Sequence, residues 1–299
     1  MDFKEKLSFK EELDQKVAVV NEALEHFMPA PDAYPPLIHQ AMRYSVLGGG
    51  KRFRPALLIA AAEVAGGTAR DVMPAACAVE LIHSYSLIHD DLPTMDNDNY
   101  RRGKLTNHKV YGETIALLAG DALLTLAFKL LAECSTCQPA DVVRVIHEVA
   151  AGAGTRGLIG GQVVDTFSAE KEIDTATLEY IHRNKTGSLY RVAVRTGAIL
   201  AGAGAEALAH LTEYAEYLGL AFQIKDDILD IEGNEKKLGK PVGSDMRNKK
   251  ATYPALFGLE NSKEKARSAV ESAKEALRPF DREADFLRTL VEYVIKRDF

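Results

Sequence analysis

Two segments, 75–88 and 115–131, are apolar on nearly every face of a helix. Such helices must be enclosed by other helices, so they constrain the fold more than any other feature of the chain. The second comes nearest to a membrane span, but Asp121 and Lys129 interrupt it, and a buried core helix is the better reading. Around both, Ala, Leu, Glu and Lys fill long stretches, while alternating strand patterns bounded by hairpin turns are nearly absent. Helices are expected at 3–26, 34–47, 54–65, 71–91, 114–134, 140–151, 156–167, 177–201, 206–231, 253–259, 263–277 and 282–296. The C-terminal segments alternate charge with one apolar stripe and should be peripheral. No repeat, low-complexity tract or linker divides the chain. The expectation is an all-α fold, one helical bundle over residues 1–299.

A formal net charge of −6 disfavours a nucleic-acid partner, which asks for a basic face. Three cysteines cannot build a disulfide framework. Cys134 and Cys137 have the spacing of a redox or zinc pair, but no second pair follows, and they sit at the end of a helical pattern before Pro139. They read as ordinary thiols. The N-terminal stretch is charged and carries no apolar signal-peptide core, which points to the cytoplasm.

The central apolar helix ends in Asp90 and Asp91, just before Pro93, which disfavours helical geometry at Leu92. Carboxylates at a helix C-terminus meet the negative end of its dipole, so something positive has to compensate. Asp96 lies six residues beyond Asp90, about 240° around an ideal helix, and joins it only through a bend. A second cluster, Asp226-Asp227-Ile228-Leu229-Asp230, places Asp226 and Asp230 on one helical face. Carboxylate oxygens without neighbouring Cys or His suit Mg²⁺, which keeps waters and binds through few carboxylates plus substrate phosphates. Either cluster alone reads equally well as a solvated acidic face. Both, however, are embedded in strongly apolar helices. An EF-hand at Asp96 fails, because Arg101 stands at the glycine position and Asn107 at the closing glutamate.

Basic residues accompany each acidic cluster. Gly48-Gly49-Gly50-Lys51-Arg52-Phe53-Arg54-Pro55 is a glycine-rich turn opening a helix, with Lys51 and Arg54 beside the backbone amides. That is a diphosphate cradle in outline, and the glycine spacing is not that of a P-loop. Arg101 and Arg102 follow the first cluster, Lys185-Thr186-Gly187 interrupts a helix, and Lys240-Pro241 follows the second cluster. Each reads by itself as surface charge. Their placement beside carboxylates, on both sides of the bundle, suggests metal and phosphate together.

The strings DDLPTMDNDNYRRGKLTNHKVYGE, GGGKRFRP, YIHRNKTG and LAFQIKDDILDIEGNEKKLGKPVGSD closely resemble the trans-isoprenyl diphosphate synthases, and among them the bacterial farnesyl diphosphate synthase type. The likeness runs from about Leu37 to the C-terminus, including NKKATYPAL and the terminal Lys296-Arg297-Asp298. The resemblance implies a helical bundle around a deep central cavity, acting as a homodimer. It implies several Mg²⁺ ions held on an allylic diphosphate by Asp90, Asp91 and Asp96 with Asp226, Asp227 and Asp230 opposite. It gives Arg101, Lys185 and Lys240 as allylic diphosphate contacts, and Thr186 and Gln223 as polar groups near a developing allylic cation. The isopentenyl diphosphate site falls on Gly50, Lys51, Arg54, His83 and Arg102, with Phe222 and Gln162 as neighbours. Two departures are visible: Asn99 where the family often has aspartate, and Asn184 where histidine is common.

The reaction so implied is ionisation, condensation and elimination. Charge developing on the departing diphosphate is stabilised by preorganised cations, and an apolar cavity keeps water from the carbocation. The hydrocarbon should grow along the central helix away from Asp90. Tyr85 lies five residues back, about 7.5 Å along the axis, with Ser86 beside it. Resemblance assigns an aromatic there to fifteen-carbon products; the alternative is simple core packing. Rival readings are a twenty-carbon geranylgeranyl synthase, a terpene cyclase, against which DDILD argues, and a non-catalytic synthase subunit, against which both intact acidic motifs argue.

Overall fold

The computed structural model describes residues 8–168, 171, 173–233 and 252–297. Its helices are α1 (Phe9–Phe27), α2 (Pro36–Val46), α3 (Phe53–Val64), α4 (Ala69–Asp90), α5 (Asn107–Tyr111), α6 (Glu113–Ala132), α7 (Pro139–Ala153) and α8 (Leu158–Ser168). They continue as α9 (Thr175–Ile181), α10 (Gly187–Leu200), α11 (Ala205–Glu232), α12 (Tyr253–Phe257), α13 (Leu259–Ala276) and α14 (Asp285–Lys296). A single π turn, His182–Thr186, joins α9 to α10, which is the break anticipated at Lys185. The helix boundaries follow the caps written in the sequence. Ser8 and Glu11 form a capping box on α1, Pro139 occupies the first turn of α7, and Asp174 caps α9.

Two elements were not anticipated. Tyr100–Arg101 and Lys104–Leu105 form a two-residue antiparallel hairpin, and α5 follows it directly. The hairpin turn, Arg102-Gly103, has positive φ at both residues (53° and 75°), as a primed turn requires. Two strand residues are too few for any period to show.

α4 runs through the middle, with buried residues on all sides from Val72 to Ile88. It packs on α6, α3, α10, α1 and α2, while α10 also packs on α3, α11 and α7, and α11 on α13. One large cluster of buried apolar side chains fills this bundle, and a smaller one, with Leu178, Ile224, Ile228, Tyr253 and Ala266, sits beneath α12.

α6 departs from its expected place in the centre. Its buried residues, Ala116, Ala119, Gly120, Leu123, Ala127, Leu130 and Leu131, form one stripe against α4. Leu117 and Leu118 on its other side are 46% and 48% exposed. The helix is long and apolar enough by composition to cross a membrane. Uniform apolarity, however, says only that a helix can be buried all round; within one chain α6 has neighbours on one side.

One ion pair is fully enclosed. Arg52, the left-handed N-cap of α3 (φ 49°), donates from Nη1 to Glu80 of α4 at 2.6 Å, from Nε to Asn21 at 2.9 Å and from Nη2 to the Val46 carbonyl at 2.5 Å. The two charged side chains are 1% and 3% exposed. Truncating one partner strands the other charge, which costs about 3–5 kcal/mol. Glu80→Ala should therefore lose about 3 kcal/mol or more in denaturant unfolding; a loss near zero would show that water already reaches the pair.

Candidate active site

The site starts where α4 ends. Asp90 is its last helical residue and Asp91 its C-cap. Beyond Pro93 the chain curls back: Met95 N and Asn97 N donate to the Leu92 carbonyl at 2.8 and 3.1 Å, and Asp96 N donates to the Asp90 carbonyl at 2.9 Å. This is the bend that the six-residue spacing demanded, and it returns Asp96 to the side of Asp90.

The neighbouring carboxylates have different tasks. Asp91 is buried and taken up by Arg101, whose Nε lies 2.8 and 3.0 Å from its two oxygens and whose Nη2 lies 2.6 Å from Oδ1. The hairpin presents Arg101 for this bidentate contact, and Asp98 adds a second carboxylate at 3.6 Å. Burial still raises the Asp91 carboxyl, against the pull of Arg101. Asp90 has no such clamp. Burial pushes it from 3.8 up to about 6; Asp96 and Asp91 push the same way, while Lys185 and Arg101 pull back.

Lys185, on the π turn, acts on Asp90 electrostatically. Gly161 lets α8 come close to that turn, because a Cβ there would lie 2.2 Å from the Lys185 backbone nitrogen. One helical turn on, Asp165 accepts from Lys185 Nζ at 2.6 Å. Sequence analysis missed Asp165; its position four residues from Gly161, on the same face of α8, was the available signal. Next to Lys185, Thr186 Oγ1 donates to Gln223 Oε1 at 2.8 Å, and Gln223 Nε2 donates to Asp227 Oδ1 at 3.0 Å. The predicted residues of the π turn and of the second acidic cluster are therefore joined by direct hydrogen bonds.

Asp227 is 3% exposed and occupied on both oxygens, since Tyr253 N donates to Oδ2 at 2.9 Å and His182 Nε2 lies 3.7 Å away. Burial drives the His182 imidazole down to about 3, so it is neutral. Asp230 is equally buried, whereas the Asp226 side chain is 41% exposed and paired with Arg297. Of the second cluster, Asp226 is the member that presents itself to solvent. Arg297, noted in the sequence only as part of a family-like terminus, lies with its guanidinium carbon 4.0 Å from the Phe222 ring centroid. Phe222 meets Tyr190 at 5.0 Å, and Arg54 lies 4.8 Å from the Tyr190 centroid.

That contact leads to the basic half of the site. Arg54, Arg102, Arg101 and Arg52 all act on His83, which burial first and then these charges hold well below its ordinary range. Arg102 is likewise lowered, by burial first, with Glu80 opposing and Arg52, Arg101 and Arg54 adding to it. Arg102 donates through Nη1 to the Gly49 carbonyl, and a Cβ on Gly50 would lie 2.6 Å from that nitrogen. A histidine and an arginine both depressed by neighbouring arginines mark an anion site. Arg54 Nε and both amide atoms of Gln162 are buried without a hydrogen-bond partner. Lys51 opens the same turn, one residue before α3's cap. Tyr85, five residues before Asp90, is buried with Oη unpartnered and is pushed up to about 12 by burial and by Asp90; Ser86 beside it is buried too.

Among the described residues, no three carboxylate, imidazole or thiol groups converge on one point. The donors that fit Mg²⁺ are hard carboxylate oxygens, with Asp90 a half-buried carboxyl whose charge a divalent cation would compensate. Lys240, and all but Gly233 of the 233–245 loop whose glycines and lysines make a closing lid a reasonable expectation from sequence, lie outside the described residues.

The Asp90 shift fixes a pH dependence. Between about pH 4 and 6 the folded protein holds a proton that the unfolded chain has lost, so stability falls as pH rises through that window and this contribution is flat on either side. In denaturant unfolding of metal-free protein from pH 3.5 to 8, Asp90→Asn should flatten the wild-type slope near pH 5; parallel profiles would refute the raised Asp90 carboxyl.

Residues 35–293 match the polyprenyl synthetase family. Farnesyl diphosphate synthase of Geobacillus stearothermophilus is 47% identical over 98% of this chain and 99% of its own length. Geranylgeranyl diphosphate synthase of Cyanophora paradoxa is also 47% identical, over 96% and 95%. The solved geranylgeranyl pyrophosphate synthetase of Pyrococcus horikoshii superposes with a TM-score of 0.88 at 29% identity, over 97% of this chain and 99% of that one. With its helical fold, its two acidic clusters and its cationic cradle, the chain belongs to the polyprenyl synthetase family of prenyltransferases.

Proposed function

We propose that the protein is a magnesium-dependent farnesyl diphosphate synthase, joining isopentenyl diphosphate head to tail to dimethylallyl and then geranyl diphosphate with release of diphosphate. The observation that carries the fifteen-carbon reading is Tyr85, buried on α4 about one and a half turns below Asp90, where a chain growing from the first acidic cluster would meet it.

In this reading Asp90 and Asp96 of the first cluster, with Asp226 and Asp230 of the second, would hold Mg²⁺. Asp91 orients Arg101, and Asp227 anchors the start of α12 and Gln223. Bound Mg²⁺ supplies Lewis-acid neutralisation of the allylic diphosphate. Lys185, released from Asp165 toward an incoming diphosphate, adds a cation to the leaving group; Lys240 is assigned the same part by family likeness. Thr186 and Gln223 set oxygen dipoles beside the carbon that becomes positive. Lys51, Arg54 and Arg102 bind the second diphosphate, and the neutral His83 donates to it without taking up a proton. The proton lost in elimination goes to the released diphosphate. The relatives' names divide between fifteen- and twenty-carbon synthases, which leaves Tyr85 as the deciding residue in this chain.

We further propose a cytoplasmic homodimer that covers the apolar face of α6 at Leu117 and Leu118. Sedimentation at micromolar concentration should give twice the 32.7 kDa chain mass, and Leu118→Asp should return the monomer; a monomeric wild type rejects this.

Chromatography of products from isopentenyl diphosphate with each allylic primer and Mg²⁺ tests the function. Farnesyl diphosphate is the expected end point. A twenty-carbon product would reassign the chain length, and absence of diphosphate release would reject the enzyme. Tyr85→Ala should shift the main product to twenty carbons or more, with turnover of the five-carbon starter within about tenfold of wild type. An unchanged product would show that Tyr85 only packs the core.

A further inference from the structure

We propose that His89, wedged against Gly120 of α6, is a positioning residue that sets where chain growth stops by backing the Tyr85 ring. This rests on the reading of the chain as a prenyl-elongating enzyme with Tyr85 as its floor.

His89 lies one turn beyond Tyr85 on α4, between the floor and Asp90. Its ring meets the Tyr85 ring edge-on, with centroids 5.7 Å apart and planes at 77°. Its Nε2 is 3.0 Å from the Leu117 carbonyl of α6, a contact that assigns the proton to Nε2; the Asp121 carboxylate stands 3.9 Å from the same nitrogen. Gly120 makes the approach possible. A Cβ there would lie 2.1 Å from Nε2 and 2.4 Å from Cδ2, so the imidazole occupies the volume that any other residue's side chain would fill.

The Tyr85 hydroxyl has no hydrogen-bond partner. No polar contact therefore fixes the ring, and its attitude is decided by what it packs against. The α6 backbone holds His89, and His89 in turn limits how far Tyr85 can tilt. Remove the imidazole and a ring-sized space opens beside Tyr85 that the phenol can lean into, which lowers the floor. The length control thus belongs to an interhelical unit, Gly120–His89–Tyr85, rather than to α4 alone.

His89→Ala should raise the ratio of the product one five-carbon unit longer to the normal product about tenfold, the scale on which apolar pockets discriminate chain length. KM for the allylic diphosphate should stay at its wild-type value, because the diphosphate ligands are not moved. Adding Gly120→Ala to His89→Ala puts a methyl group into the vacated space and should bring the ratio back toward wild type, a rescue that general loosening of the core would not produce. Should His89→Ala fail to fold, His89→Gln keeps a donor for the Leu117 carbonyl while removing the ring, and the same shift is expected. A wild-type product ratio in a folded, active His89→Ala or His89→Gln overturns the proposal, as does a double variant with a ratio equal to or above that of the single. A wild-type protein that makes no prenyl product overturns the enzyme reading and this inference together; a sharp wild-type product of any length with unaltered variants overturns this inference alone.

Discussion

The structure depends on a carboxylate placed where it is least comfortable. Asp90 terminates a helix that is buried on every side, at the negative end of that helix's dipole, with Asp91 and Asp96 beside it. Burial and like charge both oppose its ionisation. The nearby cation, Lys185, is brought in by an irregular segment, the π turn, and is already held by Asp165. The local charge is therefore unresolved in the protein alone. In the proposed function a divalent cation against the aspartates and a diphosphate against the lysine would resolve it together.

Acid and base are distributed by the same logic. Arg101 is committed to Asp91, and Asp227 to the start of α12 and to Gln223, so each acidic motif spends one member on geometry. Around His83 the reverse imbalance holds. Four arginines share a small volume with Glu80, which Arg52 already takes, and so a second anion is wanted there. The Arg52–Glu80 pair also explains how a glycine-rich turn acquires a definite shape: its arginine in left-handed conformation is bonded to α4 and to the end of α2. Lys51 and Arg54, the proposed phosphate contacts, flank a residue that is itself structural.

α4 and α6 show how chemistry and assembly share one pair of helices. The face of α6 that meets α4 carries Gly120 and the Leu117 carbonyl, which hold His89. Its opposite face carries the exposed leucines that a second chain would cover. In the proposed enzyme, chain-length control, metal binding and assembly would meet within a few turns of these two helices.

From the sequence alone, the helical class, nearly all helix positions, the central course of α4 and the two acidic clusters were legible, because each is written in residue spacing: apolar faces at helical period, caps at helix ends, aspartates at fixed intervals. The bend joining Asp96 to Asp90 was also legible, since Pro93 and a six-residue interval leave no other way to meet. Tertiary structure alone decided how each carboxylate is engaged. Asp90 and Asp91 are adjacent and chemically identical, as are Asp226 and Asp227, and only packing gives Asp91 the Arg101 fork, Asp226 the Arg297 guanidinium and Asp227 a backbone amide. It decided as well that Asp165 joins the site, that α6 keeps an open side, and that Gly120 is a socket for His89. Sequence carries periodicities along one chain; partners brought together across the bundle, and the water they lose in meeting, are properties of the packed state.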